Sequence, residues 1–320
     1  MPAQIEGIIP VMLTPFNEQG EIDWDDLEAL IEWYIAKGAS ALFAVCQSSE
    51  MVFLSLEERV ALARFTAKIS NGRIPVVASG HISALMHAQV SELNAISQTG
   101  IDALVMVTSR LDPKRQGEAA FRENLDKLLT HINSEIPLGF YECPAPYRRL
   151  LSENEFKACC DNERFVVLKD VSCDLDILMH RVALAGGTQL KVLNANAAIA
   201  WRSMAAGAPG FCGIANNYHP DLYRWLLEEG RQHPELASEL EVFLSFAALT
   251  EGFGYPAIAK IYQQRLGNFK SISCRSIDYD VREKVYAIDV LVDQLLQGGA
   301  DFRARIGALP TNKPVRSATA

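Results

Sequence analysis

The chain has 320 residues, of which 39 are acidic and 30 basic for a net charge of −9, and 49% are hydrophobic. This length excludes a single small module and fits either two domains or one barrel of ~250 residues with an addition. The composition is that of an ordinary globular protein, and no Lys/Arg run exceeds a pair such as Arg148-Arg149, so nucleic acid is not an expected partner.

The first basic residue is Lys37, which fits neither a secretory nor a mitochondrial leader. Apolar runs such as Ala41 to Cys46 fall far short of the ~20 residues needed to cross a bilayer, so no membrane partner is expected. Seven cysteines, odd in number and without a C-x-x-C pair, suggest reduced thiols and a cytoplasmic location. Vicinal Cys159-Cys160 reads as the buried face of a short helix.

In chain order, eight short segments rich in Val, Ile and Leu alternate with longer amphipathic ones, the pattern of β-α units around a parallel sheet. The strand cores are Ile8 to Leu13, Ala41 to Val45, Ile74 to Ala78, Ala103 to Val107, Leu138 to Tyr141, Val166 to Lys169, Lys191 to Leu193 and Gly210 to Ile214. The first helix, led by Asp23 or Asp25, places Leu27, Leu30, Ile31, Tyr34 and Ile35 on one face, and Ser55 with Glu58 forms a capping box for the second. Eight such units predict a (β/α)8 barrel over residues 1–232. Helical segments Glu235 to Leu249, Pro256 to Leu266 and Val281 to Leu296 then predict a C-terminal helical appendage over 233–300, and 301–320 reads as an extended tail. The stretch Gly252-Phe-Gly254-Tyr-Pro256-Ala257 is a helix break rather than a dinucleotide loop, and no Walker loop or H-E-x-x-H is present.

A barrel of this kind carries its site at the carboxyl ends of the strands. Strand one ends in Thr14-Pro15-Phe16, strand two in Cys46-Gln47-Ser48-Ser49-Glu50, strand five in Tyr141-Glu142-Cys143-Pro144 and strand six in Lys169-Asp170. Lys169 follows the apolar run Phe165 to Leu168, where partial burial would favour a neutral amine. At pH 7 a free lysine is unprotonated in only about 1 molecule in 2,500, so a nucleophilic lysine needs such an environment. Snorkelling to solvent or pairing with Asp170 is the competing role for this side chain. Tyr141 fits either a proton shuttle or a half-buried structural tyrosine. Ser48 and Ser49 suit a carboxylate or simply make a turn, and the glycine-rich Gly207 to Gly213 could suit phosphate.

Taken together, these segments resemble the dihydrodipicolinate synthase / N-acetylneuraminate lyase family of class I aldolases. The resemblance rests on Gly7 to Phe16, on Cys46-Gln-Ser-Ser-Glu50 where the family has Gly-Thr/Ser-Thr-Gly-Glu, on Tyr141-x-x-Pro144, on Leu168-Lys169-Asp170-Val171-Ser172, and on Glu251 to Lys260 in the helical region. It implies that Lys169 forms a Schiff base with pyruvate or another 2-oxo acid, which then reacts with an aldehyde, and that Tyr141 is the acid/base. It further implies substrate contacts from Ser48, Ser49, Gln47, Thr14 and Cys212, no metal or other cofactor, and a homotetramer or homodimer.

The chain departs from the family pattern at four places. Gln47 replaces a relay hydroxyl and Ser49 a glycine, and Ser109-Arg110-Leu111 stands where dihydrodipicolinate synthases carry a Tyr-Tyr pair. Pro146 aligns with the arginine that binds a second carboxylate, and Asn194-Ala195-Asn196 replaces an acidic or glycine-containing stretch. The expected activity is therefore a lyase or aldolase with a different second substrate. Dehydration of a sugar acid through the same imine, 4-hydroxy-tetrahydrodipicolinate synthesis and a non-catalytic 2-oxo-acid-binding barrel are the alternatives.

Overall fold

A computed structural model describes residues 4–309. Its centre is a sheet of eight parallel strands: β1 (Gly7–Ile8), β2 (Leu42–Phe43), β3 (Val76–Ala78), β4 (Ala103–Val107), β5 (Leu138–Tyr141), β6 (Phe165–Asp170), β7 (Lys191–Asn194) and β8 (Gly210–Phe211). They lie in the order β1-β8-β7-β6-β5-β4-β3-β2, and a parallel bridge from Val11 to Phe43 joins the outer two, closing a (β/α)8 barrel. Around it run α1 (Trp24–Ala36), α2 (Leu56–Ser70), α3 (Met86–Ser97), α4 (Glu118–Leu129), α5 (Glu153–Cys160), α6 (Leu175–Leu184), α7 (Ala200–Ala205) and α8 (Pro220–Glu229). Four further helices follow: α9 (Pro234–Ala248), α10 (Ala257–Arg265), α11 (Val281–Lys284) and α12 (Ile288–Gly307). Among the described residues, no helix is long and apolar enough to cross a membrane.

Local chemistry explains the boundaries. Asp23 caps α1 through the Asp26 N–H, and Ser55 with Glu58 closes both halves of the capping box on α2. β1 is shorter than its apolar run because Pro10 has no N–H to donate. Its ladder to β8 stops after the Ile9 N–H reaches the Phe211 carbonyl, and the Pro10 carbonyl instead accepts from Phe43. Inside the barrel Val77, Val105, Val167 and Leu193 line the space beneath Lys169. Gly139 makes room for two of them, since a Cβ there would fall 2.5 Å from Val167 Cγ1 and 3.4 Å from Val105 Cγ2.

Three expectations are corrected. Residues 301–307 are helical rather than extended, because Phe302 and Ile306, four apart, pack on the same core as Leu240 and Leu244, and Arg303 pairs with Asp221. The part of the tail from residue 310 onward lies outside the described residues. The helix expected over Val281 to Leu296 is two, α11 and α12. Cys159 is buried but Cys160 only partly so, since residues one apart on a helix point about 100° away from each other.

His81 and His219 are fully buried within this packing. His81 Nδ1 accepts the Val107 N–H at 3.1 Å, leaving Nε2 to donate to Gln89 Oε1 at 2.6 Å. Burial pushes the His81 pKa down to about 4 and that of His219 down to about 3. Both are therefore neutral in the fold while the unfolded chain takes up protons near pH 6.5. Their contribution to stability is complete above that pH and is lost as pH falls toward the folded values, by up to about 1.4 kcal/mol per pH unit for each. Denaturant midpoints across pH 7 to 4 are expected to fall, with a shallower slope in His81→Gln; an unchanged slope in that variant would show that His81 does not titrate on unfolding.

Candidate active site

Side chains alternate along a strand, and this alternation sorts the polar residues at the ends of β5 and β6. Tyr141 and Lys169 sit directly opposite each other in register. Both are buried, at 4% and 6% exposure, with Lys169 Nζ 4.3 Å from the centre of the Tyr141 ring. The next residues, Glu142 and Asp170, share Arg181 of α6 instead. Asp170 also accepts from the Ser172 N–H at 2.9 Å and hydroxyl at 2.6 Å, so it is not the partner of Lys169. Among the described residues, Lys169 Nζ has no hydrogen bond or ion pair.

The Tyr141 hydroxyl donates to Gln47 Oε1 at 3.4 Å, and the Cys143 thiol donates to the same oxygen at 3.4 Å. Burial holds the phenol pKa well above its usual value near 10, with the neighbouring Cys143, Cys46 and Cys212 sulfurs acting in the same sense. Tyr141 thus carries its proton at neutral pH and is poised as a donor. Gln47 is exposed while the residues on both sides of it are buried, so its carboxamide marks the solvent side of the pair.

At the end of β2 the N–H groups of Gln47 and Ser48 have no protein acceptor among the described residues, and Ser48 is 5% exposed beside Tyr255. Ser49 does not join them. Its hydroxyl donates toward the Met12 and Ala44 carbonyls and accepts from Cys46 N, and its own N–H bonds the Cys46 carbonyl. Thr14 is likewise committed, donating to the Ser49 carbonyl at 2.8 Å, so it fixes the turn rather than presenting a free hydroxyl. Cys212 lines the cavity beneath Lys169, with its thiol pKa pushed up to about 12 by burial, while its N–H is used by the Asn194 carbonyl.

Glu50 closes this turn in a left-handed conformation, φ 59°, that a side chain rarely adopts. Its carboxylate is fully engaged there. Oε1 accepts from Lys260 of α10 at 2.7 Å, and Oε2 accepts from Arg275 N, Ser276 N and Ser276 Oγ, each at 2.7 Å. The C-terminal helices are thereby tied to the mouth.

Three residues of the site escaped the sequence reading. Cys143 sits inside the Tyr-x-x-Pro loop and Tyr255 inside the helix break, where only spatial proximity gives them meaning. Arg181 did leave a signal, a charged residue three positions from buried Leu178 on the inner face of α6.

A model of the dihydrodipicolinate synthetase family matches residues 4–275. The chain belongs to this family. Its members are lyases and synthases, and the chain is an enzyme of that kind. The 4-hydroxy-tetrahydrodipicolinate synthase of Shewanella pealeana is 25% identical over 226 residues, 69% of this chain and 73% of that one. The dihydrodipicolinate synthase of Acinetobacter baumannii, solved with pyruvate, matches with a TM-score of 0.79 at 20% identity, covering 92% of this chain and 99% of its own. A prophage protein of the family from E. coli K12, also solved with pyruvate, gives 0.79 at 20% identity over 94% and 99%. The two solved structures share the fold.

Arg181 is the joint of the site, because it neutralises two buried carboxylates at once. Replacing it with Met is expected to cost about 3–5 kcal/mol, and Lys is expected to rescue little, since an ammonium lacks the planar fork that reaches both acids. Urea denaturation of the two variants measures this, and near-native stability in either would show that the acids find other partners.

Proposed function

We propose that the protein is a class I lyase or aldolase that binds pyruvate or another 2-oxo acid as an imine on Lys169 and makes or breaks a C–C bond beside it. The observation that carries this reading is the buried Lys169 amine, held against the Tyr141 ring without an acid partner. The amine attacks the C2 carbonyl, whose oxygen leaves as water, and the protonated imine then accepts the electron pair of the bond at C3. Tyr141 hands a proton to the departing oxygen and moves protons to and from the reacting oxygens. The Ser48 hydroxyl and the N–H groups of Gln47 and Ser48 hold the carboxylate, fixing the ketone for attack.

Two departures shape the reading. A carboxamide accepts a hydrogen bond from Tyr141 but does not pass a proton onward as a hydroxyl does, so Tyr141 exchanges its proton with the bound substrate itself. With Leu111 and Pro146 in place of the residues the synthases use, the second substrate differs from that of the S. pealeana synthase.

Incubation with pyruvate and borohydride, followed by mass measurement, tests the proposal: one stable adduct is expected, mapped to Lys169 and absent from Lys169→Ala. No adduct with any of a panel of 2-oxo acids would instead favour a binding protein. Tyr141→Phe is expected to lower turnover by roughly 10²- to 10⁴-fold, and a full rate in that variant would remove Tyr141 from the proton path.

A further inference from the structure

Among the described residues, every buried or half-buried arginine has its guanidinium in a hydrogen bond or ion pair, with one exception. The exception is Arg110, which is half-buried and has no aromatic ring beneath it either. It ends the single turn Thr108–Arg110 that leaves β4, three residues after Val107, the register partner of Tyr141. That places it at the carboxyl end of the barrel, one strand spacing of about 4.8 Å from the strand that carries the proton donor.

The turn is held firmly while the side chains of Ser109 and Arg110 are left unspent. Val107 N bonds His81, Thr108 Oγ1 donates to the Arg149 carbonyl at 2.6 Å, and the Arg110 carbonyl accepts from Gln89 at 3.0 Å. The Ser109 hydroxyl is buried with no partner. The acids around this turn are committed elsewhere. Glu92 takes Arg59, Ser83 and the Ile82 N–H, and Asp112 takes Arg149 and the N–H groups of Gln116 and Gly117. A guanidinium that has lost water without gaining a counterion is set to bind an anion from outside, and its planar fork suits a carboxylate or a phosphate.

We propose that Arg110 is the anion-binding residue of the second-substrate subsite, and that the aldehyde joined to or released from the 2-oxo acid carries a carboxylate or a phosphate. This rests on the imine reading above. The cation comes from the end of β4, whereas the position after the β5 motif, where the family resemblance places an arginine, holds Pro146.

The test supplies pyruvate together with succinic semialdehyde, glyceraldehyde 3-phosphate, or the neutral butanal and glyceraldehyde, and compares kcat/KM in wild type, Arg110→Ala and Arg110→Lys. Wild type is expected to prefer one of the two anions, which identifies the head group. Arg110→Ala is expected to lose roughly 10- to 100-fold for that anion, mainly in KM, with partial recovery in Arg110→Lys and less than threefold change for the neutral aldehydes. Equal losses for charged and neutral aldehydes, a wild-type preference for the neutral ones, or no turnover of either anion overturns the subsite. If wild type also fails to trap pyruvate with borohydride, the imine reading falls and takes the subsite with it; trapping without the charge preference removes the subsite alone.

Discussion

The site depends on one buried guanidinium. Arg181 reaches from α6 to Glu142 and Asp170, the residues that follow Tyr141 and Lys169 in the chain. Because side chains alternate along a strand, anchoring one residue of each pair in the helical layer turns the other into the barrel. Glu142 shows the strain of this arrangement: burial raises its pKa, Arg181 opposes that, and the nearby Asp170 adds to it. Such a cluster adds little net stability compared with an apolar core, and its value here is geometric.

A second buried pair does for the outer end of the barrel what Arg181 does for the strands. Lys260 and Glu50, at 0% and 1% side-chain exposure, join α10 to the turn after β2, and the Lys260 and Arg275 cations both lie over the Phe16 ring. The left-handed backbone at Glu50 persists because four donors hold its side chain in place, the Lys260 ammonium and three from residues 275 and 276, while its own N–H bonds the Gln47 carbonyl.

Much of this was legible in the chain itself, and the reasons differ by residue. The eight strands announced themselves as apolar runs, and Lys169 and Tyr141 stood out because each ends such a run with a reactive group. Strand lengths were harder to read, as β1 shows, where the apolar run continues past a proline that cannot pair. A hydroxyl near a strand end looks the same in sequence whether it meets a ligand or a backbone carbonyl, and Ser49 and Thr14 meet carbonyls. In sequence Asp170 stands free to pair with Lys169, and only the fold brings Arg181, eleven positions away, to claim it. Arg110 was visible as a departure from the family pattern, but its lack of a counterion is a property of the folded surroundings alone.

The attachment of the C-terminal helices has an evolutionary consequence. Tyr255 reaches Ser48 from beyond the barrel, and Asn217 donates to its hydroxyl at 2.9 Å. If Ser48 holds substrate as proposed, exchanging this segment between related barrels would change the surroundings of that residue along with the scaffold. The chain is two regions by pattern and a single inheritance unit by chemistry.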